Sequence, residues 1–289
     1  MQRDVWRRLV TLVQRLAASP SSRRFSFREA EIVLVYFWAA EHTRPVYWAC
    51  RPDNWPDHLR PARLPTPATM SRRLRRPGVH ACIDAVRRHQ QRGLRRSLLS
   101  TLDGKPLPVS HHSRDRDARF GRGAGALAKG YKFHGICNGP QRLEAWAAPP
   151  LNVDERVVAR RLVPASRIAG YLLADRYYDD NLLHDTCLQH GVQLVAPRRY
   201  GPHKGLGHHR HSPARRRCID MLEHSHTGFG PALHARRGDI ERRFGALASA
   251  WYGLGPLPAW VRGQHRVELW VAAKLALFQL HQSSRKRRR

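Results

Sequence analysis

Three acidic side chains in this chain are spaced and flanked so that they could hold a metal ion or move a proton: Asp103, Asp175 and Glu241. Asp175 follows Gly170-Tyr171-Leu172-Leu173-Ala174, an apolar run that suits a strand buried on both faces. Asp179-Asp180-Asn181, just beyond, suits a turn into a helix. A carboxylate set against a buried strand costs several kcal/mol in desolvation unless a cation or hydrogen bonds compensate it, so Asp175 is a candidate metal ligand. The competing role, capping the next helix, falls more naturally to Asp180. Asp103 closes a second strand-like run at residues 98–102, although Asp103-Gly104 is also an ordinary turn signal. Glu241 borders a helical face formed by Ile240, Phe244, Leu247 and Trp251, and Arg237, four residues earlier, offers it a surface ion pair as an alternative role.

The elements that must position these acids can be read in order. Residues 1–18 place Val5, Leu9, Leu12, Val13 and Leu16 on one helical face. A second helix starts with Ser26 and Glu29 in capping-box spacing and runs through the apolar 32–40, the core of an all-α N-terminal domain. Residues 45–65 read as a short helix and a loop. Thr66-Pro67 then starts a helix that Pro77 stops. With Met70 and Leu74 inward and Arg72, Arg73, Arg75 and Arg76 outward, it is a helix-turn-helix candidate for recognition of DNA, or a plain solvated basic helix. A further helix follows over 78–92, with a domain boundary near Gly93.

From residue 98 the expected order is strand, loop, strand, strand, helix, strand, helix, strand. Residues 132–137 and 142–146 form a hairpin about Asn138-Gly139-Pro140, and Asp154 caps a helix over 155–163. Strands alternating with helices after a meander predict a mixed sheet in an α/β domain over 94–282. Residues 198–234 read as a long basic, irregular loop rich in histidine (His208, His209, His211), and 283–289 as a basic tail.

The wording around the acids carries a resemblance. Leu102-Asp103-Gly104-Lys105-Pro106-Leu107, Lys129-Gly130-Tyr131-Lys132-Phe133-His134, Leu173-Ala174-Asp175-Arg176-Tyr177-Tyr178-Asp179 and Ile240-Glu241-Arg242-Arg243-Phe244-Gly245 stand in that order. Together they resemble the DDE domain of bacterial insertion-sequence transposases, nearest the insertion sequence 4 and 5 groups. The resemblance implies a ribonuclease H-like fold, in which the strands bearing the first two acids lie side by side. It also implies that Asp103, Asp175 and Glu241 are catalytic and hold two Mg²⁺ ions, with Mn²⁺ as a substitute. Lys129, Lys132, Arg237 and Arg242 would contact DNA. The implied partners are double-stranded DNA, as terminal inverted repeats and as target, and a second copy of the chain once DNA is bound. Three carboxylates suit this chemistry, because hard oxygen ligands suit Mg²⁺ and a metal pair can serve both the attacking and the leaving oxygen. In the insertion sequence 4 group a Tyr, an Arg and a Lys keep fixed register with the last acid. Here Arg237 matches, whereas His234 and Ala248 stand at the Tyr and Lys positions.

Composition agrees with a polyanionic partner. The 289 residues carry a formal charge of +30 with 42% hydrophobic content, enough apolar chain for a core and far too much positive charge for an ordinary globular balance. The longest uncharged apolar run, 32–40, is well short of the roughly 20 residues that cross a bilayer. Five scattered cysteines with no Cys-x-x-Cys pair fit a reduced cytoplasm, where a transposase would meet the bacterial nucleoid. Rival readings are a DNA-binding derivative that no longer cuts, a ribonuclease H-like nuclease without strand transfer, and a basic nucleoid protein. Each neutralised phosphate steepens the loss of affinity with salt, so deleting residues 285–289 should flatten the slope of log affinity against log salt by a few units. Filter binding across a salt series checks this, and an unchanged slope would mean that the tail takes no part.

Overall fold

The computed structural model describes residues 3–17, 25–123, 125–139, 142–201, 204–206, 211–249 and 253–286. The tail residues 287–289, His208, His209, Pro140 and Trp251, all used in the sequence reading, lie outside the described residues, as does the side chain of Ala248. The chain divides into two compact units, a helical one formed by Met1–Gly93 with Leu247–Arg289 and a sheet-bearing one formed by Leu94–Ala246.

In the helical unit, α1 (Arg3–Leu16) buries Val5, Leu9, Leu12 and Val13, the stripe that its spacing predicts. Helix α2 (Glu29–Glu41) buries ten of its residues and has no polar face, which makes it the axis of the unit. Its first turn is closed two residues later than expected: the Arg28 backbone N–H donates to Glu31 (2.6 Å), so Arg28, not Ser26, is the capping position. After α3 (Val46–Ala49) and a 3₁₀ turn, Trp55 stacks on Trp38 (4.4 Å between ring centroids) and meets Trp6 edge-on. Helix α4 (Pro67–Arg73) starts where predicted, its Thr66 side chain accepting from the Thr69 N–H at 3.2 Å, and α5 (Pro77–Gln90) buries Val79, Ile83 and Val86.

The sheet unit contains β1 (Leu99–Pro108), β2 (Arg119–Arg122), β3 (Leu127–Asn138), β4 (Arg142–Ala147), α6 (Glu155–Ala165), β5 (Gly170–Leu173), α7 (Asn181–Gln189) and β6 (Val192–Val195). The strand order is β2-β3-β1-β5-β6, with β4 also paired to β3. The β1–β3 and β3–β4 pairs are antiparallel; β1–β5 and β5–β6 are parallel. This is the mixed sheet with flanking helices expected of a ribonuclease H-like layout. One face packs Leu102, Ile136, Leu172 and Leu194 against Val158 and Leu162 of α6 and Leu183 and Cys187 of α7.

The other face carries what the sequence left as an irregular loop. Residues 198–234 instead hold α8 (Pro213–Ile219), a π-helical turn at Asp220–His224 and α9 (Phe229–Ala235), followed by α10 (Gly238–Ala248). Ser212 caps α8, and Arg215 forks onto buried Asp179 with contacts of 2.6 and 2.7 Å. A fork of this kind can tie a basic segment down, because the paired charges relieve each other's burial. Leu233 of α9 joins Leu173 and Val195 on this face. The expected turn at Asp103-Gly104 is absent too: β1 runs on to Pro108, because β3 pairs with it from Ser100↔Asn138 to Pro108↔Gly130.

The last helix is α11 (Gln264–Lys286). Residues 247–289 cluster with Met1–Gly93 in the helical unit, whereas the domain expected from the sequence runs from 94 to 282. Val267, Leu269, Trp270, Val271, Leu275, Leu277, Phe278 and Leu280 are all buried. A helix apolar on nearly every side has to be surrounded, and a bundle with α2 and α5 does that. No helix among the described residues is long and apolar enough to cross a membrane.

Gly170 opens β5 at φ +79°, where an added Cβ would lie 2.5 Å from the Leu98 carbonyl oxygen. Gly191 has a similar φ of +69° but open space around it. Gly191→Ala should therefore cost only the conformational term, about 1 kcal/mol, and Gly170→Ala distinctly more, about 3 kcal/mol. Urea denaturation of the two variants compares them directly; equal costs would mean that no close approach exists at Gly170.

Candidate active site

The parallel register of β1 and β5 builds the site. Leu99 pairs with Tyr171, Ser100 with Leu172 and Thr101 with Leu173, and then β5 ends. Continued two residues further, the same register sets Asp175 against Asp103. Because side chains alternate along a strand, both acids extend from the face that carries Leu99, Thr101 and Leu173. Gly135 is the antiparallel partner of Asp103, so no side chain crowds the carboxylate from that strand.

Both acids are half-buried. Burial raises the Asp103 carboxyl to about 6; the Gly104 N–H at 2.8 Å works the other way, the negative charge of Asp175 adds to the rise, and Arg237 opposes it. Asp175 is likewise raised, first by burial, against the Tyr177 N–H that its side chain accepts at 2.8 Å. That bond caps a one-turn 3₁₀ helix, so Asp175 combines the capping role with its place beside Asp103.

Helix α10 lies over the same face. Ile240 shares a small cavity with Leu99, Thr101, Cys137 and Leu173, and Phe244 packs on Phe133 (5.3 Å between centroids). Arg237 enters the space beside Asp103 and Asp175, where its charge lowers both, and donates from Nη2 to Glu241 at 2.6 Å. The structure therefore brings Asp103 and Asp175 together and connects Glu241 to them through Arg237, with the Glu241 carboxylate held in the ion pair. Among the described residues no group of three His, Cys, Asp or Glu side chains is arranged to hold a metal ion.

Other sequence-predicted contacts are distributed unevenly. Lys132 sits at this edge in an ion pair with Glu155. Lys129 donates from Nζ to the Ser113 carbonyl at 2.7 Å, which ties it to the loop before β2. Arg242 is exposed on α10. Helix α4 ends at Arg73, short of the expected stop at Pro77; Met70 on it and Leu74 just after it are buried, and Arg72 and, in the turn to α5, Arg75 and Arg76 are exposed. Arg73 is not in that outward row: it is buried, donates from Nη1 to the Phe27 carbonyl at 2.8 Å and lies over the Phe25 ring.

Two residues that the sequence did not single out, Glu155 and Tyr178, also belong to the site, as does His234, which stands where the resemblance would have a Tyr. Glu155, in the first turn of α6, raises both acids by its charge. The Tyr178 hydroxyl is fully buried, and burial followed by the charges of Glu155, Asp103 and Asp175 keeps it protonated. His234 of α9 places Nε2 3.0 Å from the Ala174 carbonyl, pinning the end of β5 beside Asp175. For Glu155 the sequence offered only a helix start; its neighbourhood exists only once β1, β5 and α6 share an edge.

The site is that of an α/β domain whose mixed sheet, flanked by helices, carries two raised carboxylates at the shared end of two parallel strands with cations around them. The family model described as the transposase DDE domain matches residues 96–278, and the chain belongs to that family. No curated protein and no solved structure matches it.

A carboxyl raised above its unfolded value stabilises the fold while protonated; for Asp103 that contribution is complete below about pH 4 and is lost as pH rises through about 6. In the presence of a chelator, Asp103→Asn should thus be more stable than the parent at pH 8 by up to about 3 kcal/mol, with no difference at pH 4. Denaturation of both proteins across that range tests the sign. A gap that does not grow with pH would mean that Asp103 carries no such conflict.

Proposed function

We propose that this chain is a transposase that cuts DNA at insertion-sequence ends and joins the freed end to target DNA by metal-dependent phosphoryl transfer. The observation that carries the reading is the β1–β5 register, which sets Asp175 beside Asp103 at an edge where both carboxylates are costly to ionise. Two close carboxylates raised by burial are the donor set that a hard divalent cation relieves, so the residues fit Mg²⁺. Asp103 and Asp175 would hold it. Glu241, exposed and paired with Arg237, would complete the set by swinging from the guanidinium. When bound, a Mg²⁺ pair activates the nucleophile and neutralises charge on the leaving oxygen.

The remaining work falls to the chain's own side chains. Lys132, Arg237 and Arg242 hold backbone phosphates around the scissile bond. Once released by Glu241, Arg237 can fork onto a phosphate in the manner to which guanidinium geometry is suited. Water adds to phosphorus as the bond to the 3′ oxygen breaks, and the freed 3′-hydroxyl then attacks a target phosphate, losing its proton as the bond from that phosphorus to the target strand's own 3′ oxygen breaks and that oxygen leaves as a hydroxyl. Helix α4 and the turn after it contribute to DNA recognition through Arg72, Arg75 and Arg76. A homodimer on DNA, acting at the nucleoid in the cytoplasm, would hold both transposon ends.

The ion pair of Glu241 with Arg237 favours a second reading, in which the chain binds DNA without cutting it. Asp175→Ala separates the two. It should lower Mg²⁺-dependent cleavage by roughly a thousandfold or more, since losing a metal carboxylate forfeits several kcal/mol. DNA affinity and its salt dependence should be unchanged, and the thermal stabilisation that Mg²⁺ gives the parent should disappear. Cleavage at near the parent rate would place the site elsewhere; a parent that binds but never cuts would favour the second reading. A 3′-hydroxyl strand-transfer assay distinguishes a transposase from a hydrolytic nuclease.

A further inference from the structure

Two histidines from distant parts of the chain meet in the helical unit. His80 lies in the first turn of α5 and His265 in the first turn of α11, 185 residues away. Their ring centroids are 4.5 Å apart, with the planes tilted by 42°. The two Nε2 atoms are 3.4 Å apart, and the His265 Nε2 is also 3.2 Å from the carbonyl oxygen of Leu74, the residue that closes α4. His80 is half-buried and His265 exposed, so an ion can reach the pair from solvent.

Protons satisfy this cluster poorly. A carbonyl oxygen only accepts, and a neutral imidazole has a single N–H. If His265 gives its N–H to Leu74, the same proton has to serve the His80 Nε2 as well. Contacts of 3.2 and 3.4 Å are both longer than the roughly 2.9 Å of a good hydrogen bond from N–H. A second proton on the His80 Nε2 would set two N–H groups against each other.

A metal ion fits the same spacing better. Zn²⁺ takes imidazole nitrogen at about 2.0–2.1 Å in tetrahedral sites, so neighbouring ligand atoms stand about 3.3–3.4 Å apart. The separations of 3.4 Å between the nitrogens and 3.2 Å from nitrogen to carbonyl oxygen match two edges of such a tetrahedron. Aiming both lone pairs at one ion opens the ring centroids from 4.5 Å to about 5 Å, a rotation that the exposed His265 can make. Burial, followed by the nearness of His265, pushes the His80 imidazole below the usual histidine range, which keeps its lone pair free at neutral pH. Glu268 and Asp84 add negative charge at His80 while they are held by Gln264 and Arg88. Among the described residues no group of three His, Cys, Asp or Glu side chains surrounds an ion, which leaves the fourth position to water.

We propose that His80 and His265, with the Leu74 carbonyl and a water, form a Zn²⁺ site that clips α5 to α11. Its donor set separates it from the edge that carries Asp103 and Asp175, since imidazole suits Zn²⁺ and Mg²⁺ asks for hard oxygens. The role is structural. The ion joins two parts of the helical unit that the whole sheet unit separates in sequence. An ion that binds the folded unit and not the unfolded chain stabilises it by mass action.

The test uses the untagged full chain, stripped with chelator, dialysed, and heated with and without ZnCl₂. Saturating Zn²⁺ should raise the midpoint of thermal unfolding by about 5 °C. His80→Gln and His265→Gln should each lose that rise, yet melt close to the parent in chelator, whereas Asp175→Ala should keep it. Co²⁺ in place of Zn²⁺ reads the geometry: tetrahedral coordination gives an intense visible absorption that octahedral oxygen sites lack, and both histidine variants should lose it. A rise of equal size in the parent and both histidine variants would put the ion elsewhere. No rise in the parent, with no visible Co²⁺ band, would mean that the two rings share only protons. Either result overturns the proposal.

Discussion

The fold is organised around an electrostatic conflict. Parallel pairing of β1 with β5 requires that the residues beyond Thr101 and Leu173 keep company, and the sequence puts a carboxylate at each place. Two like charges in a half-buried setting repel more strongly than they would in water. The neighbouring elements answer this one difficulty. Helix α10, seated through Ile240 and Phe244, brings Arg237; β3 brings Lys132. Helix α6 brings Glu155, which aggravates the conflict while occupying Lys132. Arg237 is shared among three acids, so it neutralises none of them fully, and the edge keeps an appetite for positive charge.

How far this was legible depended on whether local pattern or tertiary pairing decided each element. Asp175 was legible because an apolar run that stops abruptly on an acid leaves few interpretations. Asp103-Gly104 misled: the dipeptide has good turn chemistry, but nine β1–β3 partner pairs outweigh a two-residue preference. Residues 198–234 misled for a different reason. Ser212-Pro213 is a proper helix start, yet α8 and α9 are only seven residues each, too short for periodicity to emerge from an Arg- and His-rich background. Arg73 shows the same limit, since a seven-residue helix gives no reliable inner and outer face. The apolar circumference of α11 was readable; its partners were not, because hydrophobicity says that a helix is buried without saying against what.

The charge balance also looks different once side chains are placed. Arg73 and Arg76 lie over Phe25, Arg63 lies over Phe27, and Arg215 is committed to Asp179. Such arginines act as packing and clamping groups, using the flat guanidinium as a surface to stack on. The formal +30 therefore overstates the charge available to a polyanion. Arginines that are exposed, such as Arg72 and Arg75, carry more of the long-range attraction than the total suggests.

The membership of α11 in the N-terminal bundle bears on how the protein is made. Helix α2, apolar on every side, leaves the ribosome early, but a helix that helps to enclose it is encoded some two hundred residues later. The sheet unit, contiguous from Leu94 to Ala246, can complete itself in between. Nascent chains thus mature from the middle outward, and until synthesis reaches α11 they display an uncovered apolar column of the kind that chaperones bind.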